Sequence, residues 1–300
     1  MAVKKKEILF DFPKPIDNPC LVGHKGTLKT FMDAWNNRDE HPVHPVWMLC
    51  GPRGIGKATL AYKIAANVYG NVGDFFIIDL EHNIDERGTP KPDAKQISVH
   101  TVRAMIERMQ MSSMSGKWRV ILIDAVDELT VAAENAILKL LEEPPQQTLF
   151  LLVTHQLSNV LPTVRSRARV EKMHPLTTSE LRELCIKFMP DEDISSEILK
   201  LSNGSFGKIA NLKSSGGDLI YEELLDILNN KHSSASDIMD VAEKIAISPA
   251  LYTIVLDTIA YFGLADLYPM ASNTIADINR LNLKPDITLF KIITEIKKCL

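Results

Sequence analysis

The chain has little that would tie it to an oxidising compartment, a membrane or a nucleic-acid backbone. Its four cysteines, Cys20, Cys50, Cys185 and Cys299, are scattered over 300 residues, none at Cys-x-x-Cys spacing. They are too few and too dispersed for a disulfide framework or a zinc site read from spacing, and reduced, mostly buried thiols are expected. No apolar run approaches the ~20 residues of a membrane span. No signal-peptide stretch follows Lys4-Lys5-Lys6, which reads as a solvated terminus, and a cytoplasmic location is expected. Positive charge is not in excess either: 34 Lys and Arg stand against 38 Asp and Glu, a net charge of −4. Phosphate neutralisation supplies most of the affinity of autonomous DNA binders, so this balance argues against tight, independent DNA binding. A local basic strip remains compatible with it.

What is present is an ordinary globular composition, 45% hydrophobic and 24% charged, in a chain long enough for two or three domains. The first half alternates strand and helix patterns. Apolar runs at 46–50, 75–78, 117–123 and 149–153 read as buried strands. Helical spacing covers 57–68, where Leu60, Ile64 and Val68 share a face. A second stripe, Val102, Met105, Ile106 and Met109, follows the cap residue Ser98. Thr130 caps a further helix, with Ile137, Leu140 and Leu141 apolar, that stops at Pro144-Pro145. Residues 81–95 are polar, with Gly88, Pro90 and Pro92, and read as a long exposed loop. This order implies a parallel sheet covered on both faces.

Beyond Val170 only helices are expected. Thr177, Thr178, Ser179 and Glu180 form a capping-box signature. Ser214, Ser215, Gly216 and Gly217 read as a linker before an all-helical part. No internal repeat is visible.

Three stretches carry chemistry. Gly51-Pro52-Arg53-Gly54-Ile55-Gly56-Lys57 has the G-x-x-x-x-G-K form of a P-loop, and it follows a strand and opens a helix as that motif requires. Glycines let backbone N–H groups turn around phosphate oxygens, the helix N-terminus adds its dipole, and Lys57 would reach the β and γ phosphates. The plainer reading is a glycine turn with no ligand. A Ser or Thr should follow the lysine to hold Mg²⁺, and Ala58 stands there instead. Thr59 comes one place late, about 100° further round the helix. The second stretch, Val120-Ile121-Leu122-Ile123-Asp124, is an apolar strand ending in an acid. Asp124 is either a metal-directed Walker B carboxylate or a simple strand-end acid. Asp127 and Glu128 lie past the strand end and are poor substitutes. The third, Leu161 to Arg167 (LPTVRSR), is by itself a basic segment after a proline turn, and a solvated loop is the plain reading.

Together, GPRGIGKATLA from Gly51, VILIDAVDEL from Val120, AENAILKLLEEPPQQTLFLLV from Ala133 and LPTVRSRAR from Leu161 resemble the delta-prime subunits of bacterial DNA polymerase III clamp loaders, a family of AAA+ proteins. The order and spacing match through about residue 215, and the LLEEPP element is the most characteristic part. The resemblance implies an α/β AAA+ P-loop base with a parallel sheet (1–174), a small helical lid (175–214) and an all-helical collar for oligomerisation (215–300). It implies gamma/tau and delta subunits as partners, with the sliding clamp and primed DNA met through the assembled complex, and a place in the DNA-directed DNA polymerase III holoenzyme. Such subunits generally do not hydrolyse ATP and donate an arginine finger in trans from a Ser-Arg-Cys motif. Here that motif reads Ser166-Arg167-Ala168, so Arg167 takes the finger's place.

By the same resemblance Thr154 occupies the sensor 1 position, and Gly207 replaces the sensor 2 arginine, with Lys208 beside it. The residue after Asp124, a water-polarising Glu in active AAA+ proteins, is Ala125. Gly51, Gly54, Gly56, Lys57, Asp124 and Thr154 would then form a degenerate nucleotide site, with weak ATP or ADP binding left open and no cofactor required. The family's four-cysteine zinc module is replaced by the 81–95 loop, so neither zinc nor any other metal is expected. The alternatives are an active gamma/tau-like ATPase, which Lys57 and Asp124 favour, and a P-loop scaffold outside replication.

Overall fold

The computed structural model describes residues 14–15, 17–18, 20–69, 74–91, 93–111 and 118–300. Lys4, Lys5, Lys6, Pro92 and Lys117 lie outside the described residues. Two compact units appear, one spanning Phe12–Glu183 and another that includes Leu184–Leu300.

The first unit runs α1 (Lys25–Asn36), β1 (Val46–Cys50), α2 (Lys57–Tyr69), β2 (Phe75–Asp79), α3 (Val99–Met111), β3 (Arg119–Asp124), α4 (Val131–Glu142), β4 (Thr148–Thr154), α5 (Pro162–Arg165), β5 (Arg169–Lys172) and the start of α6 (Thr178–Phe188). Its five strands form one sheet in the order β2-β3-β4-β1-β5, and every pairing is parallel. Strand side chains alternate between faces, so successive residues feed two cores. Met48, Ile121, Ile123, Phe150 and Leu152 pack with α3 and α4 residues such as Val102, Met105, Ile137 and Leu141. Trp47, Leu49, Val120, Leu122, Leu149 and Leu151 pack with Phe31, Trp35, Leu60 and Ile64 of α1 and α2. Burial on both sides explains why β1, β3 and β4 are continuous apolar runs instead of alternating ones. On the second face Phe31 meets Trp47 edge-on at 5.0 Å, and Trp35 meets Trp118 at 4.6 Å.

The expected caps form. Ser98 Oγ accepts from Thr101 N at 3.3 Å, and Thr130 Oγ1 accepts from Ala133 N at 3.3 Å. Thr177 and Glu180 make the reciprocal pair, with Glu180 Oε2 accepting from Thr177 N at 2.8 Å. The 81–95 loop is more ordered than its polarity implies, because Asn83 is only 2% exposed. Its amide donates to Gln96 O at 3.1 Å, and its oxygen accepts from Ser98 N at 2.9 Å and Thr101 Oγ1 at 2.8 Å.

Three expectations need correction. A strand does lie around and beyond Val170: β5 pairs with β1 from Trp47↔Arg169 to Cys50↔Lys172. Val170 is its sole apolar residue, the polar pattern of an edge strand, so hydrophobicity could not announce it. Second, only Cys185 of the four cysteines is buried, and Cys299 is exposed. Third, residues 214–217 are a corner and not a linker. α8 (Phe206–Ser215) ends on Gly216 at φ 69°, and α9 (Gly217–Asn229) starts at once. Gly216 supplies the left-handed turn that closes a helix. Gly217 is pressed so closely that an added Cβ would stand 3.0 Å from Leu251 Cδ2 and 3.1 Å from Leu212 Cδ2.

The second unit also holds α7 (Ser196–Leu201), α10 (Ala235–Ala246), α11 (Thr253–Tyr261), α12 (Tyr268–Arg280) and α13 (Pro285–Cys299). Its polar ties include Lys213, which bridges Glu192 at 3.1 Å and Asp218 at 2.9 Å. Among the described residues no helix is long and apolar enough to cross a membrane.

Candidate functional site

The carboxyl end of the parallel sheet gathers most of the residues singled out above. β1 delivers the chain into the 51–56 loop, which opens directly into α2. Gly54 and Gly56 lie at φ 80° and 99°, conformations that favour glycine. Gly51 is small for a different reason: a Cβ there would meet Met173 O at 2.6 Å and Ile55 Cδ1 at 2.9 Å. The loop is braced at both ends. Gly51 N donates to Thr154 O at 3.3 Å, and Met173 N donates to Cys50 O at 2.7 Å. His24, just ahead of α1, bonds Ile55 O through Nε2 at 2.7 Å.

Lys57 is buried, 3% exposed, and its ammonium is turned onto its own loop. It donates to Gly51 O at 2.7 Å and Pro52 O at 2.6 Å. Burial lowers its pKa to about 8, against the opposing pull of Asp124. Asp124 ends β3 between Asp79 and Val153 in the register. Burial raises its carboxyl to about 6, with Lys57 acting against the shift and Glu128 and Asp79 reinforcing it. Thr154 ends β4 beside Cys50, fully buried, and its Oγ1 has no protein partner. A buried hydroxyl without a partner is uncommon.

The bonds made by the neighbouring residues escaped the sequence reading. Asp127 and Glu128 are both engaged by protein groups. Asp127 accepts from His155 N at 3.0 Å and Gln156 N at 3.1 Å, tying the turn after β3 to the end of β4. Glu128 is paired with Arg53 of the loop. His155 is half-buried and its Nδ1 has no protein partner. Burial, together with Lys57 and Arg53, lowers its pKa to about 4, so the ring is neutral at physiological pH. No spacing signal marks these residues, since each acts through a turn whose shape the sequence does not print.

The geometry can therefore wrap a phosphate with backbone N–H groups and the α2 N-terminus. Such a ligand must first draw Lys57 off two carbonyls. Ala58, after the lysine, offers no side-chain oxygen, and Ala125, after Asp124, is a buried methyl, 1% exposed. Lys208, the neighbour of Gly207, is turned into the helical unit, where it pairs with Asp257 at 2.5 Å and donates to Leu201 O at 3.0 Å. Among the described residues no group of three or more His, Cys, Asp or Glu side chains is placed to hold a metal ion.

Arg167 stands apart from this cluster, in the turn between α5 and β5. Buried Glu134 of α4 anchors the start of α5 ahead of that turn, accepting from Leu161 N at 2.9 Å. Arg167 Nη1 donates to Thr163 O at 2.7 Å, and Nη2 pairs with Glu142 at the end of α4. The plain reading of a solvated basic loop therefore gives way to a pinned turn.

A parallel sheet of this order, with a glycine-rich phosphate loop after β1 and an acid ending β3 on the far side of the central strand β4, defines a P-loop protein of the AAA+ class. The chain belongs to the family described as DNA polymerase III, delta subunit, whose model matches residues 27–177, half of the chain. It is similar to DNA polymerase III subunit delta' of Pseudomonas aeruginosa, 31% identical over 183 residues, 53% of this chain and 52% of that one. It is also similar to DNA polymerase III subunit gamma of Buchnera aphidicola subsp. Schizaphis graminum, 27% identical over 235 residues, 71% of this chain and 64% of that one. The chain thus spans about half to two thirds of the length of these relatives. Two solved structures share the fold. A gamma subunit-related protein of Thermotoga maritima gives a TM-score of 0.50 at 15% identity, covering 90% of this chain and 98% of that one. A RuvB protein of Thermotoga maritima gives 0.51 at 16%, covering 91% of each.

Proposed function

We propose that this chain is a delta-prime-like clamp-loader subunit that does not hydrolyse ATP and completes, through Arg167, an ATP site on a neighbouring gamma/tau subunit. The observation that carries it is the contrast between two places. The chain's own site lacks a magnesium ligand at Ala58, a water-orienting acid at Ala125 and a sensor arginine at Gly207. The Arg167 turn, meanwhile, follows a short helix whose start Glu134 anchors, and presents a permanent cation on a partly exposed side chain. In this reading residues 1–174 form the base, 175–214 the lid and 215–300 the collar. The partners are gamma/tau and delta, with the sliding clamp and primed DNA engaged by the assembled complex. Nucleotide at Gly51–Lys57 is weakly held and not required, and no zinc is bound.

The test is reconstitution with gamma/tau and delta subunits. Arg167→Ala should leave assembly intact and lower DNA- and clamp-stimulated ATPase, since such fingers in P-loop systems are worth roughly 10³–10⁵ in rate at the site they serve. Unchanged stimulated ATPase refutes the finger. The competing reading, a gamma-like motor, draws support from the 71% coverage by the Buchnera relative and from the retained Lys57. It requires a magnesium-dependent ATPase in the isolated chain that Lys57→Ala abolishes.

A further inference from the structure

The LLEEPP element ends α4 with Glu142, followed by Glu143 at the cap. This is the wrong end of a helix for acids. The terminal carbonyls make it negative, so carboxylates there are disfavoured and cations favoured. Among the described residues Glu142 makes one ion pair, with Arg167, and the two side chains are 48% and 31% exposed. The neighbouring arginines are held differently. Arg169 bonds Glu171 at 2.8 Å and lies over Trp47 at 4.2 Å, built into the sheet edge. Arg165 is exposed and makes no ion pair among the described residues. Arg167 is the one whose charge is matched by an acid on another element. Its Nη1 is engaged as well, by Thr163 O at 2.7 Å and Ser166 Oγ at 3.4 Å.

From this arrangement we infer that Glu142 is a positioning residue that withholds Arg167, so that phosphate at the neighbouring site must compete with the carboxylate for the guanidinium. The inference rests on the reading of Arg167 as a finger. A guanidinium paired with a carboxylate presents little net charge to an approaching anion. A partner phosphate draws it away only by offering more negative charge than Glu142 does. The fixed turn around Thr163 keeps the released side chain near its point of departure. A half-exposed ion pair shifts an equilibrium by roughly 1.5- to 5-fold, so the restraint is weak enough to be overcome by nucleotide.

The experiment uses the complex assembled with gamma/tau and delta, and ATP as the probe. Glu142→Gln keeps the size and removes the charge. It should lower the KM for ATP by about 1.5- to 5-fold with kcat unchanged. The gain should shrink as salt rises, because salt screens the wild-type pair and releases Arg167 there too. Glu142→Asp, which shortens the reach, should move KM the same way, and serves if the Gln variant folds poorly. In an Arg167→Ala background the effect should vanish. If Glu142→Gln leaves KM unchanged or lowers kcat, or if the KM gain persists without Arg167, the withholding role is overturned. If Arg167→Ala itself leaves stimulated ATPase intact, it is the finger reading that fails. The two failures are therefore distinguishable.

Discussion

Replacing Asp124 by Asn should stabilise the protein at neutral pH and not at acid pH. The carboxyl is raised from 3.8 to about 6, chiefly by burial. Below pH 4 the folded and unfolded chains both hold the proton. Between pH 4 and 6 the unfolded chain releases it and the folded chain keeps it, so stability falls as pH rises, and above 6 the loss is complete. Two units at 1.36 kcal/mol each put that loss at about 3 kcal/mol. Asn lacks the charge and escapes the loss. It also deprives buried Lys57 of the acid that opposes its own desolvation, so the net gain at pH 7 should be about 1–3 kcal/mol. Urea unfolding from pH 4.5 to 7.5 measures it. The three tryptophans, Trp35, Trp47 and Trp118, all lie in the first unit, so their fluorescence reports that unit alone. A difference between variant and wild type that is flat across this range would show that Asp124 is solvated, and a destabilised variant at pH 7 would show that attraction to Lys57 outweighs burial; either refutes the reasoning.

Two further outcomes follow from the packing. Asn83→Ala should leave Ser98 N and Thr101 Oγ1 without their acceptor, costing about 1–3 kcal/mol. Limited trypsin treatment should then cut faster at Arg87 and Lys95, while unchanged cleavage would show that the loop does not depend on Asn83. Gly51→Ala drives a methyl into the Met173 carbonyl, and since backbone cannot rotate away, about 1–3 kcal/mol should be lost in thermal unfolding. A neutral result would mean that β5 yields easily.

Much of the first unit was legible because its signals are local. Apolar runs of strand length, caps at Ser98, Thr130 and Thr177, and a glycine loop placed between strand and helix each state their own structure. What stayed hidden depends on partners remote in sequence. β5 has no hydrophobic pattern because β1 makes it a strand. Asn83 looks like any loop residue until its side-chain hydrogen bonds to Gln96, Ser98 and Thr101 are seen. Gly216 and Gly217 suggest flexibility by composition, yet one supplies a left-handed turn and the other a close contact. At the site, the defects at Ala58 and Ala125 could be read directly, since a missing oxygen needs no coordinates. The inward turn of Lys57 and the pairing of Arg167 with Glu142 could not, because they depend on which of several nearby acceptors each cation selects.

The order of strands has a consequence in time. β1 carries the phosphate loop, yet its partners are β4 and β5, and Val46 must wait for Phe150 to find its place. Synthesis at about 5–20 residues per second leaves the strand unpartnered for about 5–20 s after it is made. Throughout that interval Trp47, Met48 and Leu49 have no neighbouring strand. Of the five strands β1 therefore waits longest for a strand partner, and conditions that slow translation between β1 and β4 should lower the yield of soluble protein.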